Sequence, residues 1–145
     1  MRPKLPDYGT FTHWPEDGHA RLHPDDIAII NRVIPSSRVF RRSRFDGVFY
    51  QFEYGKSLQF RLRPCMWLAL DWEGIDVGDQ VEVIGLGMTR DLFVARVVEM
   101  RFNRRNRQIE YTLSQAGQVH PRLYLANELR NLDNQPKLRK PQAGG

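Results

Sequence analysis

The 145-residue chain has a single cysteine, Cys65, so no disulfide can form within it. That favours a reducing compartment over a secreted, disulfide-stapled scaffold. No stretch approaches the roughly 18 apolar residues that a membrane helix needs. The opening MRPKLPDYGTF lacks the apolar core of a secretory signal. The expectation is therefore a cytoplasmic protein with no membrane partner. Lysine is also scarce: 4 of the 22 basic residues are Lys and 18 are Arg. Arginine offers a planar, bidentate fork suited to phosphate and carboxylate, although codon bias in a GC-rich genome would produce the same excess.

What is present is ordinary for a globular protein, with 41% apolar and 27% charged residues. The length fits one domain or two halves of about 50–60 residues each. The net charge of +5 is unevenly spread. Residues 1–23 balance at 0, residues 24–70 carry +4, residues 71–130 carry −1 and residues 131–145 carry +2.

One stretch occurs twice. Residues 44–69 read RFDGVFYQFEYGKSLQFRLRPCMWLA, and residues 101–126, shifted by 57 without a gap, read RFNRRNRQIEYTLSQAGQVHPRLYLA. Nine of the 26 positions are identical, among them Phe45/Phe102, Glu53/Glu110, Tyr54/Tyr111 and Pro64/Pro121. Two copies are too few for a solenoid and point to a duplicated small domain. The boundaries that follow are an irregular N-terminal arm at 1–23, a first half at 24–70, a connector at 71–77, a second half at 78–130 and a flexible basic tail at 131–145. In the arm, Phe11 and Trp14 are expected to be pinned to the body.

Residues 25–34 read as a short helix, with Pro24, Asp25 and Asp26 at its start and Pro35 as its stop. The alternation Asp25-x-Ile27-x-Ile29 would also suit a strand. From Val39 the pattern is β: a strand over Val39–Phe45, a type I′ turn at Asp46-Gly47, a strand over Val48–Tyr54, a turn at Gly55–Ser57 and a strand over Leu58–Leu62. Cys65–Leu70 reads as an apolar close with a helical turn. In the second half, Val81–Val83, Leu92–Phe102 and Gln108–Leu113 read as strands, Gly85–Gly87 as a loop, Asn103–Asn106 as a wider turn, and Val119–Leu129 closes the repeat. The fold class expected is mainly β.

The segments GDQVEVI, FVARVVEMRF, RQIEYTLS and YLANEL resemble the SH3-like small-barrel superfamily, which contains Tudor and KOW modules. The resemblance covers residues 78–129 and extends to 38–70 through the repeat. It implies two tandem SH3-like small barrels. It also implies KOW-like binding of RNA or ribosomal proteins, or a Tudor-like aromatic cage for a methylated side chain. Cage candidates are Tyr50, Tyr54, Trp67, Trp72, Tyr111 and Tyr124, although repeated aromatics at period two are more often core.

Two arginine clusters are the main candidate site. RVFRRSR supplies Arg38, Arg41, Arg42 and Arg44; RFNRRNR supplies Arg101, Arg104, Arg105 and Arg107; Arg61 and Arg63 extend the first. With Phe40, Phe45, Phe49, Tyr50 and Phe102 nearby, they suggest phosphate contact with rings for unpaired bases. The competing reading is a solvated face, with the arginines paired to Glu53, Glu99 or Glu110. His13, Glu16, Asp17, His19, His23, Asp25 and Asp26 have metal-ligand chemistry, but Pro15, Gly18 and Pro24 break the helix that would align them. No metal or cofactor is expected. Cys65, His120 and GLGMTR at 85–90 give no nucleophile or phosphate loop. The sequence thus points to a non-enzymatic module for RNA, DNA or a ribonucleoprotein, with a protein-interaction or structural module as the alternative.

Overall fold

The computed structural model describes residues 4–13, 18–63, 67–84 and 93–133. The chain is mainly β, with antiparallel strands and one short α-helix. It divides into two compact units: residues 1–72 with 101–107, and residues 73–100 with 108–145.

The first unit is built on five strands: β1 (Asp7–Phe11), β2 (Ser36–Phe45), β3 (Tyr50–Tyr54), β4 (Leu58–Leu62) and β5 (Leu68–Leu70). Their order is β4-β3-β2-β1-β5. Alternation decides the faces. Tyr50, Phe52, Phe60 and Leu62 point inward, while Gln51, Glu53, Gln59 and Arg61 point outward. Phe11 anchors the core, with its ring 5.1 Å from Phe52, 5.0 Å from Trp67 and 5.7 Å from Phe40. The arm expected to be irregular is thus partly a strand. Tyr8 and Phe11 are buried, and Gly9 lets β5 approach where a side chain would strike Leu68 and Trp67. The apolar close also differs from expectation. Leu68–Leu70 is strand β5, paired with Tyr8–Thr10, not a helical turn. Trp14 and Cys65 lie outside the described residues.

The helical reading of 25–34 holds. A 3-10 turn at Pro24–Asp26 leads into α1 (Ile27–Val33). His23 caps the 3-10 turn, its Nδ1 accepting the Asp25 N–H at 3.1 Å, and Pro24 needs no partner for its missing N–H. Ile30 and Val33 face the core. Ile34, preceding Pro35, is extended and ends the helix. Residues 21–23 then run beside β4, with Leu22 opposite Leu62.

The turn after β2 is not type I′. Gly47 has φ +105° and Asp46 is not left-handed. Asp46 Oδ1 instead accepts the N–H groups of Val48 and Phe49, both at 2.8 Å, and closes a four-residue loop between Phe45 and Tyr50. A short carboxylate that satisfies two backbone donors removes the need for two positive-φ residues.

The second unit contains β6 (Gln80–Val83), β7 (Phe93–Asn103, up to Met100), β8 (Gln108–Gln115), β9 (Gln118–Tyr124) and β10 (Leu129–Asn131), in the order β10-β6-β7-β8-β9. Val81, Val97, Tyr111 and Leu113 fill its core. The expected connector packs here: Ile75 is buried, and Tyr111 donates to Glu73 Oε1 at 2.7 Å. The hairpin between β8 and β9 turns on Ala116 and Gly117, both left-handed, the backbone of a type I′ turn. This turn falls later than the Gly55–Ser57 turn does in the repeat, so Leu62 is buried while its counterpart Val119 is 61% exposed.

Among the described residues no strand ladder closes either unit into a barrel.

Candidate nucleic-acid interface

The end of β7 and the turn that follows it, Arg101–Arg107, belong to the first unit. Arg38 of β2 stands opposite Arg101 in an antiparallel bridge. Both arginine clusters therefore belong to one unit. By sequence count that unit carries 15 Lys and Arg against 8 Asp and Glu, net +7. The other carries 7 against 9, net −2.

The ten candidate arginines are not alike. Arg42 is buried. Its guanidinium forms a bidentate pair with Asp7, at 2.8 and 2.7 Å, and lies 4.4 Å from the Tyr50 ring centroid and 4.9 Å from that of Trp67. Asp7 and Arg42 are direct cross-strand partners, so the register of β1 on β2 sets this pair. A phosphate could reach Arg42 only by displacing Asp7. Two of the cage candidates, Tyr50 and Trp67, thus already hold an internal cation, and Tyr111 and Tyr124 are core residues.

Arg41 and Arg61 hold intermediate positions. Arg41 donates to Glu53 Oε1 at 2.8 Å, its direct partner across β2 and β3. Arg61 is held on Asp26: its backbone N–H and Nε each donate to Oδ2 at 2.8 Å, and Nη2 donates to Oδ1 at 3.1 Å. Burial alone would push the Asp26 carboxyl up. The hydrogen bonds and charge of Arg61, with the charge of His23, outweigh it and hold the group below its ordinary value.

The remaining arginines stand further out. Arg44 is exposed and donates to Gln51 Oε1 at 3.1 Å. Arg63 is exposed, with its guanidinium 5.1 Å from the Phe49 ring centroid. Arg38 lies over Tyr54 and also donates to Ser36 Oγ; Arg101 donates to Ser37 Oγ at 2.9 Å. Arg104, Arg105 and Arg107 occupy the exposed turn. There Asn103 Oδ1 accepts the N–H groups of Arg105 and Asn106, at 3.0 and 3.2 Å. This is the same device as at Asp46, 57 residues earlier.

Beside the outer face of β3 and β4 lies a cleft of about 400 Å³. Asp26, Arg44, Asp46, Phe49, Gln51, Gln59, Phe60 and Arg61 line it. Sequence reading did not single out the glutamines or Asp46 for this site. Phe49 was read as part of a strand over Val48–Tyr54; the structure places it in the loop before β3.

Of the His and acid cluster, Glu16 and Asp17 lie outside the described residues, and three of the others are engaged within the protein. His13 Nδ1 is hydrogen bonded to Thr12 Oγ1 at 2.7 Å, His23 caps the 3-10 turn before α1 and Asp26 holds Arg61. Among the described residues no group of three His, Cys, Asp or Glu is placed to hold a metal ion. The ring of His120 stacks on Phe93 at 4.8 Å. The GLGMTR segment at 85–90 lies outside the described residues. No described helix is long and apolar enough to cross a membrane.

A family profile matches residues 1–130, nine-tenths of the chain. The chain belongs to the DUF6960 family. That family is described as one of unknown function. No curated protein and no solved structure matches the chain.

Proposed function

We propose that this DUF6960 chain is a non-enzymatic binding protein that contacts RNA, DNA or a ribonucleoprotein through the arginines of its first unit. The observation that carries this reading is the division of charge, +7 on the first unit and −2 on the second, with Arg38 opposite Arg101. Phosphate attraction supplies most non-specific affinity for nucleic acids and needs this kind of one-signed surface. Arg44, Arg63, Arg104, Arg105 and Arg107 are the exposed contacts. Arg38, Arg41, Arg61 and Arg101 flank them, and Arg42 holds the sheet. An SH3-like duplication belongs to the same proposal. It is supported by two three-stranded meanders, β2-β3-β4 and β7-β8-β9, each with a side chain closing its first turn at positions 57 apart.

The test is fluorescence anisotropy with labelled RNA and DNA across a range of salt concentrations. Binding should weaken with salt at about 0.7–0.9 in log K per log salt for each phosphate contacted. Arg104→Ala with Arg105→Ala should lower that slope by about 1–2. No binding at low salt would refute the reading.

A protein-interaction role is favoured by one observation in the second unit. On the edge strand β9, Val119 and Leu123 are 61% and 51% exposed. Sedimentation that shows a stable oligomer, lost on Leu123→Lys, would support that role.

A further inference from the structure

The cleft beside β3 and β4 is balanced in charge. Arg44 and Arg61 are its cations, Asp26 and Asp46 its anions. Such a cleft does not favour a phosphate in its interior, between Asp26 and Asp46. Gln59 adds an exposed amide that can both donate and accept; Gln51, whose Oε1 accepts from Arg44 and whose Nε2 donates to Glu53 at 3.0 Å, keeps one N–H and one lone pair for a ligand, and Phe49 adds a ring. This is the chemistry for a neutral, planar heterocycle with hydrogen-bonding edges.

Phe49 is the unusual member. It sits half-buried in the loop between β2 and β3, whose backbone is fixed by the two N–H bonds to Asp46. Those bonds hold the Asp46 carboxyl below its ordinary value, so it is ionised at neutral pH. The loop itself does not need a ring. The turn closed in the same way by Asn103 carries Asn106 at the matching position. Tilted against the ring of Phe49, at 4.8 Å, is that of His23, and the Arg63 guanidinium lies 5.1 Å from its centroid. An aromatic ring on a fixed loop that lines the cleft, with the Arg63 guanidinium over it and more arginines around it, has the chemistry on which unpaired bases stack.

We infer that this cleft takes a single unpaired nucleobase, stacked on Phe49 and met at its edge by Gln51 and Gln59, while Arg63 and Arg44 receive the adjoining phosphates. The inference rests on the nucleic-acid reading above and makes it specific: the ligand is single-stranded. A volume of about 400 Å³ lies at the small end of ligand sites. It has room for one splayed base, which a duplex does not present.

The experiment compares short labelled single strands with blunt duplexes of the same sequence, in RNA and in DNA, on the full chain. Phe49→Ala should weaken single-strand binding roughly tenfold, a usual loss for one stacked base. It should leave duplex binding and the salt slope unchanged. Phe49→Trp should retain single-strand binding and gain a fluorescence quenching on titration that the wild type lacks, which also guards against misfolding of the alanine variant. The inference falls if Phe49→Ala and Phe49→Trp bind single strands like wild type while Arg104→Ala with Arg105→Ala still flattens the salt slope. In that case the arginine surface stands without the base site. Binding of duplex but not single strands would also overturn it. Wild type that binds neither overturns both readings.

Discussion

Asp26 and Arg61 are joined by three hydrogen bonds, one of them from the Arg61 backbone N–H. The pair ties the start of α1 to the outer face of β4. Asp26→Asn should destabilise the protein by about 1–2 kcal/mol, toward the low end for a charged hydrogen-bonded group, because the Arg61 side chain is 39% exposed and water replaces part of the loss. The pH dependence has a definite sign. The folded-state pKa of Asp26 is depressed, so its contribution is full above the ordinary carboxylate value of about 3.9 and is lost as pH falls through the lower folded value. Urea unfolding of wild type and variant should therefore differ at neutral pH and converge once pH has fallen below the folded value of Asp26.

Arg42 is a fold residue in an arginine cluster. Arg42→Ala leaves Asp7 without its bidentate partner and removes a cation from between Tyr50 and Trp67. Breaking such a pair from one side should cost about 3 kcal/mol. Arg42→Lys should recover little, since an ammonium cannot span both carboxylate oxygens. Urea melts should show the loss for Arg42→Ala and stay within about 0.5 kcal/mol of wild type for the exposed Arg104→Ala.

Gly9 is set by close approach. A Cβ there would lie 2.5 Å from the Leu68 carbonyl oxygen and 2.6 Å from the Trp67 ring. Gly9→Ala should cost about 1–3 kcal/mol as an overpacking change. Because backbone is among the atoms struck, the relief open to the chain is separation of β5 from β1. A red shift of tryptophan emission, as Trp67 gains water, is the readout.

Tyr111 is buried, and its hydroxyl donates to Glu73. Burial first, then the hydrogen bond and charge of Glu73, push its pKa above the usual tyrosine value. The folded state thus favours the neutral phenol. Stability should fall as pH rises past the unfolded value of about 10, by up to about 1.4 kcal/mol per pH unit. Tyr111→Phe should cost about 1 kcal/mol at neutral pH and remove its share of that alkaline loss. Denaturant melts between pH ~8 and ~11 check both.

The strands were legible where alternation was clean. Phe52, Phe60 and Leu62 lie inward, and Gln59 and Arg61 outward, as period two requires. The helix was legible from its proline and acids. The β1 strand was not, because Asp7–Phe11 is short and lies among prolines. Its pairing comes from β2 and β5, which are distant in sequence. The turn was expected at Asp46-Gly47, but it is a four-residue loop that takes in Val48 and Phe49, because Asp before Gly suits either a type I′ turn or a loop closed by the carboxylate, and the carboxylate's hydrogen bonds decide. Of the candidate site, the arginines were visible as composition. Their different environments were not, because burial of Arg42 and pairing of Arg41 depend on cross-strand register.

By itself the sequence determined the β character, the arginine excess and the 57-residue self-similarity, since each is a local or compositional property. Only the tertiary structure decided which arginines are available. It buried Arg42 on Asp7, held Arg61 on Asp26 and set Arg38 opposite Arg101. These are contacts between residues about 35 to 63 positions apart in the chain. Strand register creates them, and register follows from the whole set of inward-facing side chains rather than from any one segment.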